Sequence, residues 1–305
     1  MLNLTYLAHK DIDKSKWDDC IKKSTNGLIY GETAYLDHMA SNWDAIILND
    51  YEAVMPLTWR KKWGISYLYQ PAFIQQNGIF STIELNDIII DDFIELASSL
   101  FRFAEFTLNY QNKSTNQPLS LRNNFILPLG ISYDAIFNNF SQYIKQRLKK
   151  AEKFEHSYVV STDYKEVIEI YKQLYTNKIK RITKKDMLNF EKLCFHYNKM
   201  NRVVVRKVIN KNTNDLLAVV LLLKDERRIY NLASSIFPEG KKKLANYFLY
   251  GNIIKEFSPE NIIMDFEGSD IQGIAYFYGN FANENQQYPF IKWNKLPALI
   301  KKIKK

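Results

Sequence analysis

The chain has 305 residues, 46% hydrophobic and 25% charged, which predicts one large domain or two ordinary ones and excludes disorder as the dominant state. Its 10 glycines and 8 prolines exclude collagen-like or low-complexity character, and Cys20 and Cys194, far apart in sequence, make neither a disulfide framework nor a zinc ribbon. The formal net charge of +9, from 42 Lys plus Arg against 33 Asp plus Glu, favours an anionic partner such as nucleic acid, a nucleotide cofactor or a lipid head group. A bias toward the residues of A/T-rich codons, Lys, Asn, Ile, Phe and Tyr, competes with that reading.

Met1 to Lys10 lacks a basic start followed by an apolar stretch and a cleavage site, so no signal peptide is expected and the cytoplasm is the expected location. Helical spacing marks Asp11–Ser24, through Ile12, Trp17 and Ile21, and Thr33–Ser41 follows as a shorter helix. The period then changes to that of strands at Ala45–Leu48, Ala53–Trp59 and Ile65–Tyr69, with turns at Asn49–Glu52 and Trp63-Gly64, which predicts an antiparallel meander. Asn86–Phe106 is apolar at helical spacing, and a strand at Phe125–Leu127 is expected to close this unit.

The same order recurs at greater length. A helix is expected from Tyr133 to about Phe154, a strand at Tyr158–Ser161, and helices near Lys165–Tyr175 and Lys184–Tyr197. Arg202–Ile209, Leu216–Leu223 and Arg228–Ala233 form a second meander, followed by a helix at Lys242–Phe257 and a strand at Ile262–Phe266. Leu216–Leu223 is also the longest apolar run, far short of the roughly 20 residues that cross a bilayer. Alternating helices and strands give an α/β (α+β) class, and the repeated order implies duplicated domains. The boundary is placed in the turn-rich Lys113–Pro118 region, giving domains 1–120 and 121–305.

Three segments carry candidate chemistry. Ser234–Lys243 joins a strand to a helix, an arrangement whose exposed amides bind phosphate; Ser234, Ser235, Gly240, Lys241 and Lys242 are the candidate ligands, and a solvated lysine loop is the alternative. In Met264–Ser269, Asp265 and Glu267 stand two apart on a strand, hence on one face. One of them is a candidate proton acceptor of raised pKa, although a carboxylate that holds a neighbouring cation or caps the helix starting near Ser269 or Asp270 explains the residues as well. Ile271–Phe281 is a short aromatic helix in which Tyr278 offers a proton-donating hydroxyl. Tyr69, Gln70 and Gln75 are candidates for an acceptor pocket wall, or for a buried turn whose amides satisfy the backbone. The four histidines are scattered, so no metal is expected, and the lysines from 301 to 305 form a basic tail suited to peripheral contact with an anionic membrane.

Phe237–Asn246, Asp265–Ser269 and Gly273–Phe281, in that order, resemble the Fem-type (FemABX) branch of the GNAT acyltransferase superfamily, and Arg147–Lys153 resembles its basic motif. The resemblance implies two tandem GNAT-like domains, each a mixed sheet with an antiparallel meander flanked by helices, the first acceptor-side and degenerate, the second donor-side. It implies transfer of an acyl group from acyl-CoA, or of an aminoacyl group from aminoacyl-tRNA, to an amine of a small molecule or peptidoglycan precursor, with tRNA as a candidate partner and no DNA. By the same resemblance Ala245 and Asn246 join the cofactor-binding set, and Arg147 and Lys150 the substrate-binding set. Where several bridge-building members have Phe-Lys, this chain has Phe277-Tyr278, and Lys165–Lys199 is too short for the polar helical hairpin of some members. Both departures weaken the aminoacyl-tRNA assignment and favour acyl-CoA or an unknown donor. The rival is a non-catalytic module that grips nucleic acid or anionic lipid through the basic helix Lys145–Lys153.

Overall fold

The computed structural model describes residues 3–113, 116, 119–175, 182–268 and 271–297. The candidate cap at Ser269 and Asp270, most of the Lys113–Pro118 boundary and the basic tail Lys301–Lys305 lie outside the described residues.

The chain folds as two compact units, Met1–Arg122 together with the stretch from Gln287 onward, and Asn123–Gln286. The first contains β1 (Leu4–Leu7), α1 (Lys14–Lys23), α2 (Thr33–Met39), β2 (Trp43–Leu48), β3 (Ala53–Lys62), β4 (Ile65–Tyr69), β5 (Phe80–Ser81), α3 (Asp87–Leu100), β6 (Phe103–Thr107) and β7 (Leu119–Arg122). The second contains β8 (Phe125–Pro128), α4 (Tyr133–Asn139), α5 (Gln142–Ala151), β9 (His156–Ser161), α6 (Tyr164–Tyr175), α7 (Lys184–Lys199), β10 (Val203–Asn210), β11 (Leu216–Lys224), β12 (Arg228–Ile236), α8 (Pro238–Lys242), α9 (Ala245–Phe257), β13 (Ile263–Asp265), α10 (Gln272–Phe281) and β14 (Glu284–Asn285). The final strand, β15 (Tyr288–Asn294), returns to the first sheet.

Both sheets follow one plan. An antiparallel meander (β2-β3-β4; β10-β11-β12) is followed by a helix and then by a strand parallel to the last meander strand, β6 beside β4 and β13 beside β12. The order is β1-β2-β3-β4-β6-β15-β7 with β5 on β3 in the first sheet, and β14-β8-β13-β12-β11-β10-β9 in the second. The apolar stripe of α3, Ile90, Phe93, Ile94 and Ala97, packs into one core with Met55, Leu57, Ala104 and Phe106. Leu249, Ile253 and Ile254 of α9 pack into the other with Val220, Leu222 and Met264. Nearly uninterrupted apolar strands such as Leu216–Leu223 reflect burial on both faces.

Three expectations are corrected. The helix expected over Asn86–Phe106 ends at Leu100, where Ser98 and Ser99 turn their hydroxyls back onto the carbonyls of Glu95 and Leu96; β6 then carries on the apolar run, so periodicity alone conceals the break. The helix expected from Tyr133 is two helices, divided where Phe140 turns into the core and Ser141 caps α5 through the amide of Ile144. Phe125–Leu127 is not the closing strand of the first unit. It is β8, paired with β13, and the strand beside β6 is β15, so Tyr288–Asn294 lies in the first sheet although the expected domain 121–305 contains it. β15 was hidden because Pro289 and the alternation of Phe290, Ile291 and Trp293 announce neither a partner nor a sheet.

Trp293 anchors that returning strand: its indole stands edge-on to Phe106 at 5.7 Å and donates to the Phe101 carbonyl at 2.7 Å. Trp293→Ala should therefore cost about 3–5 kcal/mol, read as a lower denaturant midpoint at unchanged slope.

Candidate active site

The site begins with a strand irregularity. Along β12 the pairing moves from Leu221↔Ala233 to Leu222↔Asn231, leaving Leu232 as an extra residue. Asn231 and Ser234, three apart and normally on opposite faces, are thereby brought to the same face, opposite Leu222 and Val220. The parallel pairing of β12 with β13 ends at Tyr230↔Asp265, while β12 runs on to Ile236. Beyond that rung no described strand pairs with this side of β12.

Hydroxyls converge beside the end of this pairing. Tyr278 of α10 lies 3.1 Å from the Ser234 Oγ and 3.2 Å from the Tyr250 hydroxyl of α9, and its ring stacks on Phe266 at 5.6 Å. Burial, then the neighbouring Tyr278, pushes the Tyr250 hydroxyl well above the usual tyrosine range. From α6, Tyr171 is pushed up to about 12 by burial, with Tyr175, Tyr278 and Glu267 adding to the shift, and Tyr175 is raised by burial and Tyr278. Hydroxyls so shifted stay protonated at neutral pH, and each can donate a hydrogen bond as well as accept one. The buried Asn231 donates weakly to the Phe266 carbonyl at 3.4 Å, and its own Oδ1 has no partner among the described residues. A buried acceptor without a donor is costly unless another group supplies one.

The two acids part company. Asp265 is fully buried, and its Oδ2 accepts from Arg228 Nη1 at 2.9 Å and from Asn124 Nδ2 at 3.3 Å, while its Oδ1 accepts from the Glu267 amide at 2.9 Å. Arg228, also buried, donates its other arm to Gln286 Oε1 at 2.9 Å. Asp265 is thus the partner of a buried guanidinium, and the expected proton-acceptor role does not fit it. Nor do the pair share a strand face: β13 ends at Asp265, and Glu267 sits at φ 60, in the left-handed region where alternation is lost. Gly268 is required by close approach, since a Cβ there would lie 1.6 Å from the Asn123 carbonyl oxygen. Glu267 remains half-buried just past the end of β13, its charge felt by Tyr171.

The phosphate loop also changes. Gly240 is buried against β11, where a Cβ would stand 2.2 Å from the Leu217 carbonyl oxygen, so this glycine serves helix packing and not phosphate approach. Lys241 and Lys242 are exposed, Lys242 pairing with Glu239 at 3.3 Å. Ser235 lies on the face of β12 opposite Ser234, Ala245 is core, and Asn246 is half-buried in the first turn of α9. The N-cap of α9, Leu244, is left-handed at φ 57 and contributes no side-chain cap. Arg147 lies over the ring of Tyr143 at 5.1 Å, Tyr143 bonds Tyr247 in that first turn at 3.2 Å, and the Arg147 charge acts on Tyr247. Lys150, three residues on, is exposed on the same helix face.

In the first unit the predicted pocket wall is used up internally. Tyr69 is buried under Arg60, 4.0 Å over its ring, and its hydroxyl accepts from the Ser41 amide at 2.8 Å. Gln70, just past the end of β4, accepts from the Thr107 amide at the end of β6 at 2.9 Å and donates to the Ile74 carbonyl. Gln75 accepts at its carbonyl from Thr107 Oγ1 at 2.7 Å and at Oε1 from Gln76. These residues tie a loop to the sheet, so the acceptor-wall assignment does not fit them. Among the described residues no group of three His, Cys, Asp or Glu could hold a metal ion, and no helix is long and apolar enough to cross a membrane.

Comparison with solved structures gives the fold a name. FemX superposes with a TM-score of 0.64 at 13% identity, covering 98% of this chain and 99% of that one. A tandem GNAT protein from the clavulanic acid biosynthesis pathway gives 0.57 at 9% identity, over 98% and 100%. L-PGS from Bacillus licheniformis gives 0.54 at 9%, over 95% of each chain. No protein family and no curated protein matches the sequence itself. The chain thus has a Fem-type fold of two tandem GNAT-like units.

Two tests follow from this geometry. Asp265→Asn should cost about 3–5 kcal/mol in chemical denaturation, because it leaves the buried Arg228 uncompensated; unchanged stability would return Asp265 to the candidate acids. The buried His156, whose Nε2 bonds the Lys243 carbonyl at 2.8 Å just ahead of α9, is held below the usual imidazole range by burial and by the charges of Lys243 and Lys211, against the pull of that carbonyl. The unfolded chain therefore binds the proton more readily, and stability should be lost as pH falls below about 6.5. His156→Gln should flatten that part of the stability profile relative to wild type.

Proposed function

We propose that the protein is an N-acyltransferase that moves an acyl group from acyl-CoA to an amine, with the donor in the second unit. The observation that carries this reading is the Ser234–Tyr278–Tyr250 hydroxyl chain set beside the stretch of β12 that runs past its last rung with β13. An extended donor arm added to that free strand side would bring its thioester to the hydroxyls, and the unpartnered Asn231 Oδ1 would accept a donor N–H. The diphosphate would meet the amides of the first turn of α9, which no side chain caps, with Asn246 and the Arg147 guanidinium nearby and Lys241, Lys242 and Lys150 adding exposed charge.

In the reaction the amine nitrogen attacks the thioester carbonyl, and a C–N bond forms as the C–S bond breaks. Tyr278 protonates the departing thiolate, with Tyr250 and Ser234 hydrogen-bonded to its oxygen as the charge develops. The proton lost by the amine goes to Glu267, the half-buried carboxylate just past the end of β13, whose charge acts on Tyr171. The first unit supplies no second donor site in this account, because Gln70 already spans its β4 and β6. An aminoacyl-tRNA donor fits less well, since the Phe277-Tyr278 pair offers no fixed cation for the reacting carbonyl. The acceptor is a small-molecule amine or the amine of a peptidoglycan precursor.

CoA or an acyl-CoA at about 100 times its dissociation constant should add roughly 2.7 kcal/mol, a melting shift of several degrees. With a turned-over acceptor in hand, Tyr278→Phe should lower kcat by about 10² to 10⁴ while keeping that shift. Flat melting curves across an acyl-CoA panel would exclude this donor class.

A further inference from the structure

The β3–β4 hairpin of the first unit ends in a two-residue loop, Trp63-Gly64, closed by the pair Lys62↔Ile65. Both loop residues have positive φ, 51 at Trp63 and 79 at Gly64, the conformation of a type I′ turn. Asn, Asp or Gly suits the first position, and a bulky side chain there is a genuine outlier. Folding therefore gains nothing from a tryptophan at this place. Nor does packing, because Trp63 is 64% exposed, and a Cβ on Gly64 would meet nothing within 4 Å. The tip projects into solvent with its indole uncovered.

Its charge is one-sided. Lys61 and Lys62 are exposed beside the indole, the Lys62 Nζ standing 4.5 Å over the Trp63 ring, and Ile65 is half-exposed across the turn. The chain carries no carboxylate between Glu52 and Glu84. A single amphipathic ring flanked by flexible ammonium groups on a convex tip suits a soft, planar, anionic surface. Tryptophan favours the head-group layer of a bilayer, and adjacent lysines are drawn to anionic lipids. A nucleic acid would be better served by a groove or a row of cations along its backbone, which a two-strand tip does not offer.

We propose that this hairpin tip docks the protein on an anionic lipid bilayer, Trp63 entering the interfacial layer while Lys61 and Lys62 meet the lipid head groups. The inference is independent of the acyl-transfer reading. Sedimentation of the full chain with phosphatidylcholine vesicles, with and without phosphatidylglycerol, tests it. Wild type should bind the anionic vesicles and not the neutral ones. Trp63→Asn, which puts a residue suited to the turn in place of the indole, should lose at least about tenfold in binding with a melting temperature unchanged or higher. Lys61→Gln with Lys62→Gln should lose about 25-fold, near fivefold per cation. The proposal is overturned if wild type binds no vesicle or binds neutral vesicles equally, if Trp63→Asn binds as wild type does, or if a single-stranded oligonucleotide displaces the protein from the vesicles.

Discussion

The buried ion pair between Arg228 and Asp265 fixes the point on which the second unit turns. It spans the short parallel pairing of β12 and β13, from Arg228 on the first rung to Asp265 on the last, and through Asn124 and Gln286 it also binds the segments that flank β8 and β14. Such a pair is expensive to desolvate, and its worth lies in geometry: it ties the start of β12 to the end of β13, where their pairing stops. The left-handed turn at Glu267 and the close approach of Gly268 to Asn123 then carry the chain away from β12. With the bulge at Leu232, this leaves the Asn231–Ser234 face beside Tyr250 and Tyr278.

The same plan reaches a different end in the first unit. There β4 and β6 also run parallel for a short stretch, Leu68↔Ala104 and Tyr69↔Glu105, before separating. The Gln70 side chain spans the gap to Thr107, and the loop through Ile74 and Gln75 is tied to the same place. One copy of the motif is filled by its own amides, while the other keeps a strand side, flanked by hydroxyls, that no described strand pairs. That asymmetry is the physical basis for assigning chemistry to the second copy.

Much of this organisation is legible in the sequence, because a change of period from 3.6 to 2 and back marks each meander and the helix after it. The positions of Ser234 and Tyr278 were accessible for the same reason: a strand-to-helix junction and an aromatic helix are local features. What periodicity cannot carry is pairing. Nothing local says that β15 belongs beside β6, or that the arginine opening β12 is the partner of Asp265 37 residues later. Asn231 and Tyr250 carry no such local signal, because a bulge moves one to the face of Ser234, and the other reads as an ordinary aromatic in an apolar helix. A polar residue within the strand Arg228–Ile236 was the only signal, and it gains meaning once Leu232 is known to be extra.

A donor bound along β12 beyond its last rung with β13, its phosphates at the start of α9, would cover two defined stretches of backbone. Amide hydrogen exchange with and without saturating CoA reads the covering of those stretches residue by residue. Exchange should slow at Leu232–Ile236 and at Ala245–Tyr247, with the β4–β6 region of the first unit unchanged. Protection confined to the first unit, or bound CoA that leaves Leu232–Ile236 exchanging as in the free protein, would contradict this placement of the donor.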